Sequence, residues 1–233
     1  MIKFIVSSPN VFNQISRNYI LESKQTNGGR RKAEDSAKTK NLILSSAFEL
    51  FSTKGFDATS LREIANLADV AHGTITHHLG SKIDIWNAIA HINLDQYHQE
   101  LDAALSQSLN HEMNALEVFQ SAVEVLIDTL LAHPQLVRMI SMEYDVENER
   151  AAYITQNLTQ THVTVSQLFD AAQDYDKRLN KYNADTFLIA LLGLTSAPAL
   201  FPVLQTTLTN TNIATNEFKL AYKNVIIRTL FHD

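Results

Sequence analysis

The chain has 233 residues, a formal net charge of −6 and no cysteine. Disulfides and thiolate metal sites are thereby excluded, and a reducing cytoplasm is the expected location. With 45% hydrophobic residues the chain is long enough to bury a real core, as one large domain or two smaller ones. The charge is unevenly spread: residues 1–27 carry +2, residues 28–86 carry +1 and residues 87–233 carry −9.

At the N-terminus, the apolar run Phe4-Ile5-Val6 is too short for the core of a signal peptide. Residues 1–36 show weak periodicity and end in Asn27-Gly28-Gly29, so they read as a flexible extension. The basic run Arg30, Arg31, Lys32, Lys38 and Lys40 lies at the end of this stretch and just beyond it. It is placed to add salt-dependent affinity for phosphate.

From Ala37 to Lys54 the apolar residues Leu42, Ile43, Ala47, Leu50 and Phe51 recur at helical spacing. Gly55 suits the left-handed position that stops a helix, and Phe56 then packs back on Phe51. Ser60 and Glu63 have the spacing of a capping box, with Thr59 as a competing cap. They open a helix carrying Leu61, Ile64, Ala65 and Leu67, and Asp69 is the turn residue after it. A further helix spans about Ala71 to His78 and ends at Gly80. Ser81 and Asp84 then repeat the capping pattern and start a long helix through Trp86, Ile89, Leu94, Tyr97, Leu101 and Leu105.

Beyond it the chain stays helical. Leu116, Phe119, Val123, Leu126 and Leu130 form a stripe, and Pro134 suits the first turn of the next helix. Another helix runs from about Arg150 to Gln173, followed by a charged loop, Asp174 to Asn180. The uncharged stretch Thr186 to Asn216 raises the question of a membrane span, but its prolines would kink a spanning helix. A helix buried at a subunit interface and broken near Pro198 is the better expectation. The last helix is Asn216 to Phe231. No strand, hairpin or repeat is evident, so the fold class is all-α.

Residues 59–82 combine the parts that DNA reading requires. A helix-turn-helix needs one helix to brace a second, which lies in the major groove. Ala65 permits the close approach, and Leu61, Ile64, Val70 and Ile75 supply apolar anchors. Gly73 lets the backbone come near DNA, while Thr74, Thr76, His77 and His78 offer groups for phosphates or base edges. Lys82 at the start of the following helix is a natural phosphate site, and Arg62 is a plausible further contact.

The run FELFSTKGFDATSLREIANLADVAHGTITHHLGSKIDIW resembles the N-terminal domain of the TetR/AcrR family of bacterial transcriptional regulators. The resemblance covers roughly residues 40–90 and implies a helix-turn-helix domain, here 37–86. It also implies a helical effector-binding and dimerisation domain, here 87–233. The protein it describes is a homodimer on a palindromic operator in double-stranded DNA, usually a repressor released by a small molecule. Thr59 and Ser60 match the family's capping position, whose hydroxyls often face phosphate. Gly73, Thr74 and His77 match the core of its recognition helix, and Lys82 matches its phosphate-binding lysine. There are departures: Asp69 replaces the usual glycine, His72 a common lysine, Thr76 a common aromatic and Leu79 a common phenylalanine.

Other constellations carry less. His91/Asp95 and His98/Asp102 are pairs four residues apart, expected on a polar solvent face rather than at a metal. Glu143, Asp145, Glu147 and Glu149 read as a solvated helix end. No catalytic motif is present, so neither an enzyme nor a cofactor is expected. A small, largely apolar effector would bind between helices, with Phe119, Met139, Met142, Tyr144, Tyr153, His162 and Phe169 as candidate lining. The alternative is a DNA-bound adaptor that docks a protein through the helical C-terminal domain, without a small effector.

Overall fold

A computed structural model describes residues 27–232 except 112, 144–147, 202–206 and 208–211. The described residues form α1 (Asn27–Lys54), α2 (Leu61–Leu67), α3 (His72–Leu79), α4 (Lys82–Asn110) and α5 (Ala115–Ala132). There follow α6 (Pro134–Ser141), α7 (Glu149–Gln173), a 3-10 turn (Lys177–Lys181), α8 (Ala184–Leu200) and α9 (Asn216–Phe231). No strand occurs among the described residues, and the fold is all-α. None of these helices is long and apolar enough to cross a membrane.

α1 begins at Asn27, earlier than the expected Ala37. The glycine pair falls in the first turn, where amides lack helical partners in any case. The good helix formers Arg30 to Ala33 follow it. Thr39 Oγ1 donates to the Asp35 carbonyl at 2.9 Å, one turn back. The stop is as expected. Gly55 has φ +82, its amide donates to the Phe51 carbonyl at 3.0 Å, and the Phe51 and Phe56 rings lie 5.5 Å apart.

The chain divides into two compact units. The first holds residues 27–95 with 138–143 and 148–151, and the second holds the remaining described residues. The division thus falls at Asp95, beyond the expected boundary at residue 86, and a later segment joins the first unit. In that unit α1, α2 and α3 pack on one another. Ile43, Phe51, Ile64, Ile75, Ile85 and Trp86 are among its large, fully buried side chains.

The second unit is centred on aromatic rings. Phe119 lies 5.5 Å from Phe169, 5.2 Å from Phe187 and 5.8 Å from Phe231. The T-shaped and tilted geometries are those that ring quadrupoles favour. α5 and α8 open with capping boxes, Asn114 with Glu117 and Asn183 with Thr186. α8 is not broken at Pro198; it continues to Leu200. Proline removes the amide that would bond the Leu194 carbonyl. Tyr222 on α9 replaces it, donating its hydroxyl to that carbonyl at 2.9 Å.

Candidate nucleic-acid interface

The bracing helix α2 is fixed at its start by a capping box. The Ser60 amide donates to Glu63 Oε2 at 2.9 Å, and the Glu63 amide donates to Ser60 Oγ at 3.2 Å. Lys54 at the end of α1 donates to the other oxygen of Glu63. These bonds, Lys54's first, hold the Glu63 carboxyl down at about 2. A depressed carboxyl pKa stabilises the fold above the unfolded value and loses that effect as pH falls through the folded value. We therefore expect the melting temperature to fall with pH from about 4.5 towards 2 in the native chain. In Glu63→Gln, which keeps a capping side chain but no titrating group, that dependence should be shallower.

After α2, Asp69 takes φ 52, the one positive value at a non-glycine residue among those described. Aspartate tolerates this left-handed geometry better than most residues. The Val70 amide closes the turn on the Ala65 carbonyl at 3.0 Å. α3 then sends Ile75 fully into the core and leaves His72, Gly73, Thr76 and His77 exposed. Thr74 and His78 are half-buried. A Cβ on Gly73 would meet nothing within 4 Å, so internal packing does not demand a glycine there. Gly80 is different: at φ +80, a Cβ would lie 2.6 Å from Asp84 Oδ2. That oxygen accepts from the Ser81 amide at 2.8 Å and the Ser81 hydroxyl at 2.6 Å, and these bonds depress the Asp84 pKa.

Two residues matched to phosphate contacts are turned inward. Thr59 is 2% exposed, and its hydroxyl donates to the Gly55 carbonyl at 2.7 Å. Ser60, not Thr59, is the cap of α2. Lys82 donates its ammonium to the carbonyls of Phe56 and Thr59, each at 2.8 Å, and lies 4.2 Å from the centre of the Phe56 ring. Two of its three N–H donors thus serve the loop before α2. Ser60 and Arg62 are exposed, while His78 Nδ1 lies 3.4 Å from Ser36 Oγ on α1. Sequence reasoning missed Arg150, which lies 3.9 Å over the Phe56 ring; nothing local to Arg150 signals it.

The other expectations divide. No group of residues suited to a metal occurs among those described. His91 Nε2 lies 3.4 Å from Asp95. His98, expected on a solvent face, is 5% exposed, with Nε2 3.0 Å from Thr161 Oγ1. Glu143 is buried rather than solvated, because Arg150 Nε donates to it at 2.8 Å. Asp145, Glu147 and Tyr144 lie outside the described residues. Of the candidate effector lining, Phe119 and Phe169 are ring-packed core of the second unit. Met139 and Met142 belong to the first unit. Tyr153 and His162, in the second unit, are half-buried.

A short braced helix with an exposed polar face, set by a left-handed turn and two capping boxes, has the architecture of a helix-turn-helix DNA-binding motif. A sequence model described as "Bacterial regulatory proteins, tetR family" matches residues 43–89. The probable HTH-type transcriptional regulator YttP of Bacillus subtilis (strain 168) is 25% identical over 164 residues, which span 70% of this chain and 78% of that protein. The HTH-type transcriptional repressor BepR of Brucella suis biovar 1 (strain 1330) is 26% identical over 125 residues, 54% of this chain and 56% of the repressor. A solved regulatory protein in the tetR family from Rhodococcus RHA1 shares the fold with a TM-score of 0.59 at 19% identity, covering 83% of this chain and 97% of that one. Residues 43–89 thus match the DNA-binding segment of tetR-family regulators, and the chain as a whole is similar to bacterial transcriptional regulators.

Proposed function

We propose that this regulator is a sequence-specific repressor, bound as a homodimer to a near-palindromic operator and released by a small, largely apolar effector. The observation that carries DNA reading is the exposed face of α3 beside a fully buried Ile75. His72, Thr74, Thr76 and His77 reach base edges or phosphates, and Gly73 lets the backbone approach. Ser60, Arg62 and His78 flank them, and the basic residues early in α1 add phosphate affinity. Repression is supported by the name of the Brucella relative. DNA selected from a random pool by the full chain tests the assignment: an enriched, repeated sequence supports it, and an unchanged pool removes it.

Dimerisation is supported by α8 and α9, which pack together and leave Ile189, Leu192, Leu220 and Val225 exposed. Ile189 is 70% exposed and Leu220 64%, an unusual cost for a monomer to bear on neighbouring helices. A second copy presenting the same face covers both by two-fold symmetry. The double variant Ile189→Glu, Leu220→Glu is expected to sediment as a monomer and to bind operator weakly. A dimer unchanged in that variant places the interface elsewhere.

The effector is best placed in the second unit, near Tyr153 and His162. His162 Nε2 lies 3.3 Å from Asp185, and its Nδ1 is buried with no hydrogen-bond partner. A polar atom left so is a natural anchor for one polar group of an otherwise apolar molecule. A thermal-shift screen against small apolar compounds tests this. A hit that also releases DNA supports the sensor; a protein captured through the acidic C-terminal part, with no such hit, supports the adaptor.

A further inference from the structure

Residues 138–143 and 148–151 belong to the same compact unit as the DNA-reading helices, although they lie far beyond the segment that matches the family, 43–89. The join is chemically specific. Three consecutive residues of the loop before α2 meet it. A Cβ on Gly55 would lie 3.4 Å from Met142 Sδ. The Arg150 guanidinium lies 3.9 Å from the centre of the Phe56 ring. Its Nη2 is 3.9 Å from Asp57 Oδ1.

Arg150 is itself held. Its Nε donates to Glu143 Oε2 at 2.8 Å, and both side chains are nearly buried, 12% and 4% exposed. The Asn148 side-chain amide donates to the same Glu143 oxygen at 3.4 Å. A buried ion pair is poor value as mere stability, because desolvation offsets its attraction. It is effective at fixing a planar guanidinium in one orientation. Here that orientation lays the guanidinium on an aromatic ring. Lys82 meanwhile holds the Phe56 and Thr59 carbonyls of the same loop. The loop leads directly into Ser60, the cap of α2, and α2 braces α3.

We infer that Arg150, at the first turn of α7, is a positioning residue for DNA recognition: by clamping Phe56 it sets the loop 55–59 and so the seating of α2 and α3. This rests on the DNA-reading function proposed above. Arg150 carries no direct DNA contact in this account.

The test uses the full chain, the duplex that the unaltered chain selects, and a scrambled duplex of equal length. For Arg150→Gln we expect the ratio of selected to scrambled affinity to fall about tenfold, the scale of a desolvated cation–π contact. Affinity for the scrambled duplex and its salt slope should stay unchanged. Arg150→Lys, which keeps a cation but not the planar fork, should restore only part of the ratio. Should Arg150→Gln fail to fold with Glu143 unpaired, Phe56→Leu keeps the ion pair and removes the ring, and the same fall is expected. An unchanged ratio in the folded variants overturns the inference. So does an equal loss on both duplexes with a shallower salt slope, which would make Arg150 a phosphate contact. If the unaltered chain selects no duplex, the DNA-reading function itself fails and the inference falls with it.

Discussion

A chain carrying both Thr74→Ala and His77→Ala is expected to keep its fold and lose most of its preference for its operator. Each good base contact is worth about 1–3 kcal/mol of discrimination, so the pair should cost about thirtyfold at the least and up to about 10⁴-fold. The fold should survive because Ile75, between them, supplies the buried anchor of α3. His77 is exposed, and Thr74 is only half-buried. Fluorescence anisotropy against operator and scrambled duplexes measures the effect, with the melting temperature as control. Equal affinity for the operator would place the base-reading surface outside α3.

Phe119→Ala is expected to be the most damaging single change to stability. Phe119 is fully buried and meets three other rings within 5.8 Å. Truncating a buried phenylalanine costs about 3–5 kcal/mol, the lost burial and the cavity left behind together. Phe169, Phe187 and Phe231 come from three different helices, so the cavity cannot close by moving one neighbour. Denaturant unfolding should show a lower midpoint, and the midpoint should recover partly in Phe119→Leu. An effector contact at Phe119 alone would instead leave stability nearly unchanged. That result would contradict its place in the core.

Features set by neighbouring residues were legible in the sequence. The capping pairs Ser60/Glu63 and Ser81/Asp84 lie three residues apart, and their chemistry is complete within one turn. The Gly55 stop with Phe56 on Phe51 is equally local, as are the bounds of α9, Asn216–Phe231. What was not legible depends on distant partners. Lys82 looks like a free cation until its ammonium is seen on the Phe56 carbonyl, 26 residues back. His98 looks polar and solvated, yet its partner Thr161 lies 63 residues on. Pro198 looks like a break, because Tyr222, which satisfies the carbonyl left without a helical amide, comes 28 residues after that carbonyl. Glu143 looked like one of a set of surface carboxylates, and only the fold brings Arg150 against it.

The same contrast applies to the candidate interface. The exposed face of α3 follows from one buried isoleucine and helical periodicity, so its residues could be named from sequence. Hydroxyl direction at Thr59 could not, since it depends on the Gly55 carbonyl left by the end of α1.

Selection of bound sequences from random duplex DNA by the full chain is the most direct measurement of the central claim. The account predicts enrichment of two inverted half-sites, their centres about one helical turn, 10–10.5 base pairs, or a multiple of it apart. It also predicts that the Thr74→Ala, His77→Ala chain enriches no such site. A pool unchanged by the native chain, or the same site enriched equally by the double variant, would contradict it.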